Sequence, residues 1–350
     1  MTVKTMKAIG YRKAGDAGLL EWVELSEPQP LPHDLIVRVR AVSVNPVDVK
    51  VRASASPEAG EARILGYDAA GTVEKVGSAV TAFSPGDRVY YAGALNRPGS
   101  NGVLQAIDER LAGRMPASLS WEEAAALPLT TLTAWELLFD RMRVPLGIKE
   151  AGGTLLVING AGGVGSILLQ LARRLTGLTV IATASRPETT EWCTRMGAHH
   201  VINHHQPLDE ELARIGIGQV EYVASLTATD RHIGEIAKLI APQGIIAITD
   251  DPASVDIVPF KQKAVTLCWE FMFTRSLFNT PDMARQSFIL NETSALVDAG
   301  LLVTTRTHSF GALSPETLSD AHRYVESGRG FGKTVLPGIS DEDSDGETFQ

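Results

Sequence analysis

The feature that most limits how this chain can fold is a regular alternation of short apolar segments and helix-like segments between residues 154 and 250. Five segments are rich in β-branched and other apolar residues, as strands are: TLLVIN, TVIATAS, HVIN, VEYVASL and GIIAITD. Three segments between them are typical of helices: VGSILLQLARRL, ETTEWCTRMG and HIGEIAKLI. Because strands joined through helices lie parallel, we predict an α/β domain with a doubly wound parallel sheet covered on both faces.

One turn of this series is crowded with glycine. The sequence GAGGVG, residues 160–165, follows a predicted strand, opens a predicted helix and fits the pattern G-x-G-x-x-G. Such glycines allow a tight turn, a close approach of the backbone to a pyrophosphate, and close packing of helix on strand. The helix N-terminus adds unpaired N–H groups and the positive end of its dipole. We therefore predict a Rossmann dinucleotide-binding site whose cofactor-binding residues include Gly160, Gly162, Gly163, Val164 and Gly165.

The end of the second strand of the series indicates which dinucleotide is bound. NAD-binding domains usually place Asp or Glu there to hold the adenosine ribose hydroxyls. Here the strand runs into Ser185, Arg186 and Pro187, without a carboxylate. Arg186 can pair with a 2′-phosphate through its planar guanidinium and Ser185 can donate a hydrogen bond, the alternative being a surface arginine in a loop. The missing acid and the available base together favour NADPH.

The rest of the chain has a different pattern of residues. Before residue 120 it is strand-like and rich in turns, as in LIVRVRAVSV (35–44), which predicts an antiparallel, β-rich unit with short helices. A helical segment then begins at Ser120, which can serve as the N-cap with Glu123 three residues later, and is interrupted at Pro128. Farther along, a helix is predicted over 281–300, ended by Gly300, with strands over 301–310 and 332–336.

Six motifs follow one another along nearly the whole chain, up to residue 338: AVSVNPVDVKVR, ILGYDAAGTVEKVG, FSPGDRVYYAG, LPLTTLTAWELL, GAGGVGS and GKTVL. In order and spacing they resemble the medium-chain dehydrogenase/reductase superfamily, specifically its zinc-free quinone oxidoreductase branch. The resemblance implies a GroES-like catalytic domain formed by residues 1–126 and 271–338, a Rossmann NADP-binding domain at 127–270, a substrate cleft between the domains, and a homodimer. Proteins like this are often labelled zinc-type alcohol dehydrogenase-like.

The sequence shows whether the ligands of a catalytic zinc, which that label implies, are present. A catalytic zinc needs ligands such as Cys, His and Glu around an open position. Zinc-dependent relatives have a cysteine at the start of the segment NPVDVK, a His-Glu pair at the positions of Tyr67 and Asp68, and a lobe with four cysteines. Here the only cysteines are Cys193 and Cys268. We therefore predict no bound metal.

Four histidines are the other candidate metal ligands: His199, His200, His204 and His205. A short predicted strand, VIN, separates the two pairs, so they should lie at its opposite ends. We interpret them as solvated loop and strand-edge residues rather than a metal site.

Without a metal ion to polarise a carbonyl, the expected substrate is one already activated for hydride attack. Quinones and α,β-unsaturated carbonyls qualify, because the negative charge spreads onto an oxygen that hydrogen bonds can stabilise. The family resemblance implies the same activity, NADPH-dependent reduction of quinones or enones. It also implies a polar side chain near the nicotinamide and substrate at Asn45, and contact with the cofactor from Thr130 and Lys333. Tyr67 occupies the place of the lost zinc histidine, where its hydroxyl could orient the carbonyl or relay a proton.

Structural roles stay open for the two candidate catalytic residues, Asn45 and Tyr67. Asn45 can be a turn residue before Pro46, and Tyr67 can simply pack in the core. Asp48 can be a residue of the first turn of a helix. Two other functions stay open as well: a zinc-dependent alcohol or aldehyde dehydrogenase, and a protein that binds NADPH without turnover.

Charge and hydropathy argue against several partners and locations. The formal net charge of -9 disfavours nucleic acid or an anionic membrane surface as the main partner. No apolar stretch approaches the roughly 18–20 residues needed to cross a bilayer. The N-terminal residues lack the apolar core of a secretion signal, so a cytoplasmic protein is expected. The acid-rich residues 339–350 are predicted to form a disordered tail.

Overall fold

The computed structural model describes residues 4–147 and 152–340. The chain divides into two compact units: the first runs to Leu129 and resumes at Phe273, and the second is Thr130–Met272. The predicted domain boundaries at residues 127 and 270 fall beside these points. Apart from residues 339 and 340, the predicted acidic tail lies outside the described residues.

Strands dominate the described chain up to residue 114, and helices and strands alternate after it. In chain order the strands are β1 (Thr5–Tyr11), β2 (Glu21–Ser26), β3 (Asp34–Val44), β4 (Arg63–Ile64), β5 (Ala69–Val76), β6 (Arg88–Tyr91), β7 (Leu104–Asp108), β8 (Ala112–Arg114), β9 (Thr154–Ile158), β10 (Thr179–Thr183), β11 (His200–Ile202), β12 (Val220–Ser225), β13 (Ile240–Ile248), β14 (Thr266–Trp269), β15 (Arg306–Ser309) and β16 (Lys333–Pro337). The α-helices are α1 (Pro46–Ser54), α2 (Trp121–Ala125), α3 (Pro128–Trp135), α4 (Gly163–Leu175), α5 (Pro187–Met196), α6 (Leu208–Arg214), α7 (Thr229–Leu239), α8 (Thr274–Leu277), α9 (Arg285–Asp298) and α10 (Pro315–Glu326). A π-helical stretch, Glu136–Arg141, continues α3.

The first unit is β-rich, as predicted. Its larger sheet has the order β15-β16-β3-β5-β6-β8, with β7 also paired to β3, and its smaller sheet has the order β2-β1-β4. All of these pairings are antiparallel except that of β15 with β16. Strand β16 runs antiparallel to β3 with Thr334 opposite Val44, so the C-terminal part of the chain lies beside the end of β3.

The second unit is the predicted doubly wound domain. Its sheet has the order β11-β10-β9-β12-β13-β14, and every pairing is parallel. The chain moves outward from β9 through β10 to β11 and then returns to β12 on the other side of β9. The strand order therefore reverses beside β9, and in such sheets ligands bind where the order reverses, outside the carboxyl ends of the strands.

The core of the second unit explains why its strands are so apolar. Leu156, Ile181, Val223 and Ile246, from four neighbouring strands, are buried in one hydrophobic cluster. A strand covered on both faces has no solvent side, so its sequence reads as a continuous apolar run. The same strands could therefore be recognised from sequence alone.

The capped helix at residue 120 is confirmed. The Ser120 hydroxyl accepts the N–H of Glu123 at 3.2 Å, and the Glu123 carboxylate accepts the N–H of Ser120 at 3.0 Å. Helix α2 ends at Ala125 and α3 begins at Pro128, where the interruption was expected. The helix predicted over 281–300 is shorter, Arg285–Asp298, and is followed by Gly300 in a left-handed conformation with φ 71°.

The strand predicted over residues 301–310 was wrong in its first half. Only Arg306–Ser309 is a strand. The Thr304 hydroxyl donates to the carbonyl of Glu123 at 2.9 Å, and the Thr305 hydroxyl donates to that of Ala126 at 3.0 Å. These two hydroxyls hold residues 304 and 305 against the end of α2, and the strand begins only after them.

Candidate active site

Four polar side chains form a buried charge cluster in the first unit: Asn45, Asp48, Asp68 and Lys333. Each is at most 4% exposed. The Lys333 ammonium lies 3.0 Å from Asp68 Oδ2, and it donates to Asn45 Oδ1 and to the carbonyl of Val44. Asn45 Nδ2 donates to Asp68 Oδ2 at 2.8 Å. The cluster thus holds one ammonium between a carboxylate and an amide oxygen, out of contact with water.

Local structure brings these residues together. Asn45 is the N-cap of α1, Pro46 follows at the first helical position, and Asp48 Oδ2 accepts the Asn45 N–H at 2.8 Å. Asp68 immediately precedes β5, whose Ala69 pairs with Val42 of β3. Lys333 begins β16, on the other side of β3. Because β5 and β16 flank β3, their first residues meet at the end of β3, next to the start of α1.

Burial sets the protonation of the two carboxyl groups. It raises the pKa of Asp48 to about 7, against the lowering effect of the N–H groups of Asn45 and Gly66 and of the Lys333 ammonium. Burial also raises the pKa of Asp68, and here Lys333 is the largest opposing influence. Asp68 Oδ1 accepts a further hydrogen bond from the Leu129 N–H at 2.8 Å. Asp48 therefore changes charge close to neutral pH.

Tyr67 lies beside this cluster in the chain and is itself buried. Its ring meets that of Phe273 edge-on, with centroids 5.4 Å apart. Burial and, to a smaller extent, the charge of Asp48 raise the pKa of its hydroxyl to about 12, while Arg63 opposes this rise. Within the described residues the hydroxyl makes no hydrogen bond of normal geometry. The hydroxyl is therefore a buried donor that stays protonated at neutral pH.

The cluster places two predicted site residues in direct contact, since the ammonium of Lys333 donates to the amide of Asn45. Asn45 Nδ2 also approaches the carbonyl of Tyr67 at 3.3 Å. The amide of Asn45 is thus engaged at both its oxygen and its nitrogen. This arrangement favours a positioning role for Asn45 over direct contact with substrate, while the hydroxyl of Tyr67 keeps its hydrogen-bonding capacity.

The second unit carries the glycine turn, between β9 and α4. Asn159 ends the strand with φ 62°, and its N–H donates to the Thr183 hydroxyl at 2.9 Å. Gly162 is the N-cap of α4, and the helix begins at Gly163, with Val164 and Gly165 in its first turn. The first N–H groups of a helix have no partner within it, so these groups are offered at the carboxyl ends of the strands.

Steric contacts show why glycine is needed in the turn. A Cβ on Gly160 would lie 2.6 Å from the Cβ of Ala182, and one on Gly165 would lie 2.5 Å from the carbonyl oxygen of Gly160. A Cβ on Gly162 would lie 2.9 Å from Asn159 Nδ2. Gly160 and Gly165 therefore let strand and helix pack closely, and the bare backbone at Gly162 leaves the approach to the helix N-terminus open. The turn fits a pyrophosphate.

Beyond β10, Ser185 and Arg186 lie on a cavity of about 550 Å³. Its wall also includes Glu191, Asn203 and Arg214. Arg186 Nε is 3.1 Å from the carboxylate of Glu188, and both side chains are partly exposed. No acid occupies positions 184–186, as the sequence indicated. Asn203, Glu211 and Arg214 were not predicted as site residues, because nothing in the stretch NHHQPLDEELAR distinguishes a cavity wall from a loop followed by an acidic surface helix.

Thr130, the remaining predicted cofactor contact, directly follows Leu129, whose N–H donates to Asp68. Thr130 is buried in α3 and belongs to the second unit. His199 and His204 flank β11: His199 Nδ1 accepts the Val180 N–H at 2.9 Å, and His204 Nδ1 lies 3.2 Å from the Thr183 hydroxyl. Burial lowers the pKa of both imidazoles.

Comparison with known proteins places these features in one family. A family model described as alcohol dehydrogenase GroES-like domain matches residues 31–121, and one described as zinc-binding dehydrogenase matches residues 196–336. A zinc-type alcohol dehydrogenase-like protein of Staphylococcus aureus is 42% identical over 339 residues, which cover 95% of this chain and 99% of that protein.

Solved structures agree over the same length. A Rhizobium etli protein described as a candidate zinc-dependent alcohol dehydrogenase superposes with a TM-score of 0.93 at 50% identity, covering 97% of this chain and 100% of its own. A quinone oxidoreductase of Pseudomonas syringae superposes with a TM-score of 0.80 at 26% identity, covering 95% and 99%. The two-unit fold is therefore that of this family.

The zinc in several of these names does not fit the residues of this chain. Zinc needs lone pairs from Cys, His or carboxylate groups. Asp68 faces only donors: the Lys333 ammonium, Asn45 Nδ2 and the Leu129 N–H. Across residues 4–147 and 152–340, no three His, Cys, Asp or Glu side chains are grouped so that they could hold a metal ion.

Within residues 4–147 and 152–340, no helix combines the length and the apolar composition that crossing a bilayer requires.

Proposed function

The chain belongs to the medium-chain dehydrogenase/reductase superfamily and is an oxidoreductase, and we propose that it transfers a hydride from NADPH to a quinone or an α,β-unsaturated carbonyl without a catalytic metal. The observation that carries the proposal is the Lys333 ammonium, 3.0 Å from Asp68. A lysine supplies the buried positive charge beside the pair Tyr67-Asp68, which stands where zinc-dependent relatives have His-Glu. Such a site lacks a Lewis acid, so it suits acceptors that are already activated.

The second unit supports the cofactor part of the proposal. The N–H groups at the start of α4 would hold the pyrophosphate, and Ser185 and Arg186 would hold the adenosine 2′-phosphate. When bound, the dinucleotide supplies the hydride. An acid at the end of β10 would favour NAD, and positions 184–186 contain none. The proposed preference for NADPH over NADH rests on the presence of Ser185 and Arg186 and on the missing acid.

The first unit supports the substrate part. Hydride addition to a quinone or enone leaves negative charge on the carbonyl oxygen, and a preorganised donor stabilises that charge. The Tyr67 hydroxyl is buried, protonated at neutral pH and without a normal hydrogen bond among the described residues. We assign to it the hydrogen bond to this oxygen. Asn45, whose amide is engaged by Lys333 and Asp68, keeps the surrounding backbone in place.

Loss of nicotinamide absorbance tests the proposal. Purified, chelator-treated protein would receive NADPH or NADH with a small quinone, a linear enone or a simple aldehyde. We expect turnover of NADPH with the quinone or enone, unaffected by the chelator. Tyr67→Phe should lower kcat/KM by about a hundredfold, as loss of one oxyanion donor does, with the dissociation constant of NADPH unchanged. Tyr91→Phe, which removes another buried hydroxyl without a partner in the described residues, is the matched control.

Two results would contradict the proposal. Aldehyde turnover that requires added zinc, with about one zinc bound per chain, would establish a zinc-dependent dehydrogenase. Binding of NADPH without oxidation by any acceptor would establish a protein that holds the cofactor without turnover.

A further inference from the structure

The cavity beyond the carboxyl ends of β10 and β11 is lined by residues that follow these two strands and by residues of the helices α5 and α6. Ser185 and Arg186 follow β10 and lead into α5. Asn203 follows β11, and Glu211 and Arg214 come from α6. The cavity, about 550 Å³, is therefore larger than a single phosphate site needs, and it carries a second guanidinium that the sequence did not indicate.

Arg214 is held in place by one carboxylate. Its Nε donates to Glu211 Oε1 and its Nη2 donates to Glu211 Oε2, both at 3.0 Å. Glu211 Oε2 also accepts the N–H of Asn203 at 2.8 Å, so the carboxylate is fixed to the end of β11. These contacts use two of the five N–H groups of the guanidinium, and the others stay open to a ligand. A cation held in this way loses little freedom on binding an anion.

Charge balance shows why a second cation matters in this cavity. Arg186 has Glu188 beside it at 3.1 Å, and Glu191 lies on the wall of the cavity. A phosphate monoester carries between one and two negative charges near neutral pH. Arg186 alone, next to two acids, leaves this part of the wall with a net negative charge, which disfavours a phosphate. Arg214 adds a second guanidinium to the wall, and although Glu211 pairs with two of its N–H groups, the other three can donate to a phosphate.

We propose that Arg214 is a second determinant of cofactor specificity, which binds the 2′-phosphate of NADPH together with Arg186. The inference rests on the proposed NADPH-dependent function and extends it to a residue of α6. Arg214 contributes nothing to the recognition of NADH, which has no 2′-phosphate, and in the absence of cofactor it serves only as the partner of Glu211.

Binding measurements test this without relying on turnover. Dissociation constants of NADPH, NADH, 2′,5′-ADP and 5′-AMP would be compared for the wild type, Arg186→Gln, Arg214→Gln and Arg174→Gln. Arg174, in the last turn of α4, is an exposed arginine of the same unit outside the cavity wall, so its substitution is the charge-matched control. We expect Arg214→Gln to weaken NADPH and 2′,5′-ADP about tenfold and to leave NADH and 5′-AMP unchanged.

The outcomes separate this inference from the function on which it rests. If Arg186→Gln weakens NADPH selectively and Arg214→Gln does not, Arg214 has no role in specificity and the NADPH-dependent function stands. If Arg214→Gln weakens NADPH and NADH equally, its role is to support Glu211 and the inference is wrong. If the wild type binds 2′,5′-ADP no better than 5′-AMP, the assignment of NADPH itself fails.

Discussion

The two units hold their candidate functional groups in opposite ways. In the first unit, charged groups are buried and compensate one another: Lys333 faces Asp68 and Asn45, each at most 4% exposed. In the second unit the candidate cofactor-binding cation Arg214 is 59% exposed beside Glu211, which is 14% exposed, and the fixed part is a glycine turn. The first site depends on the pairing of buried charges, and the second depends on the steric fit of the glycine turn.

This difference has a consequence for how each site responds to change. A buried charge without its partner costs several kcal/mol, because the protein interior cannot solvate it. An exposed ion pair contributes little, because water and salt screen it. Substitutions of charge should therefore damage the first unit, and substitutions of volume should damage the glycine turn of the second.

The largest effect is expected from Lys333→Met. It leaves the Asp68 carboxylate buried without its ammonium, which should lower the free energy of unfolding by about 3–5 kcal/mol at pH 7. Urea unfolding of the purified variant measures this. Lys75→Met is the control, because Lys75 in β5 of the same sheet is half exposed and 3.9 Å from its nearest carboxylate. Its effect should stay within about 0.5 kcal/mol.

A double variant identifies the cause of that loss. Asp68→Asn combined with Lys333→Met removes both charges and should recover most of the stability, since the penalty comes from the unpaired carboxylate. A Lys333→Met variant as stable as the wild type would mean that the cluster is not held by charge, and the contrast between the units would fail.

A smaller loss is expected from Gly165→Ala in the second unit. The new Cβ would lie 2.5 Å from the Gly160 carbonyl oxygen, a backbone atom that cannot move aside cheaply. Overpacking of this kind costs about 1–3 kcal/mol, and the distorted turn should also weaken binding of NADPH. Thermal unfolding and a binding titration measure the two effects.

Gly234→Ala is the matched control for that substitution. Gly234 lies inside α7, and a Cβ there would meet no atom within 4 Å. Alanine is the better helix former, so this variant should gain about 0.5–1 kcal/mol. A Gly165→Ala variant that is as stable as Gly234→Ala would show that shape does not limit the glycine turn.

The contrast also explains what the sequence could reveal. Strands such as TLLVIN are local apolar runs, and GAGGVG is a local pattern, so the parallel sheet and its turn could be predicted from short stretches. The buried charge cluster could not, because Lys333 reaches Asp68 only through the pairing of β16 with β3. Asp68 and Lys333 are 265 positions apart in the sequence, and nothing in the residues around either one indicates that the two are in contact.

Local signals also failed where an element is short or acidic. Helix α6 is seven residues long and has Asp209, Glu210 and Glu211 in its first turn, so its sequence resembles a solvated loop. Its role on the cavity wall depends on the path of the chain around β11. The pKa of Asp48 is likewise a property of burial, which no single stretch of sequence specifies.

The last effect concerns the dependence of stability on pH and again separates the two units. Asp48 has a folded pKa of about 7, above the value of about 3.9 expected in an unfolded chain. Its contribution to stability is therefore complete below about pH 3.9 and is lost as the pH rises toward 7. Between pH 5 and 6.5 the wild type should lose stability relative to Asp48→Asn, by up to about 1.4 kcal/mol per pH unit.

Urea unfolding across this pH range, with Asp298→Asn as the control, tests the sign. Hydrogen bonds from Ser118 and Ala117 hold the pKa of Asp298 below its usual value, so this group stays ionised in both states over the whole range. The difference between the wild type and Asp298→Asn should therefore be constant. If the difference for Asp48→Asn is constant as well, Asp48 is ionised throughout, and water reaches the cluster. The first unit would then hold its charges as the second does, in contact with solvent, and burial would no longer distinguish the two sites.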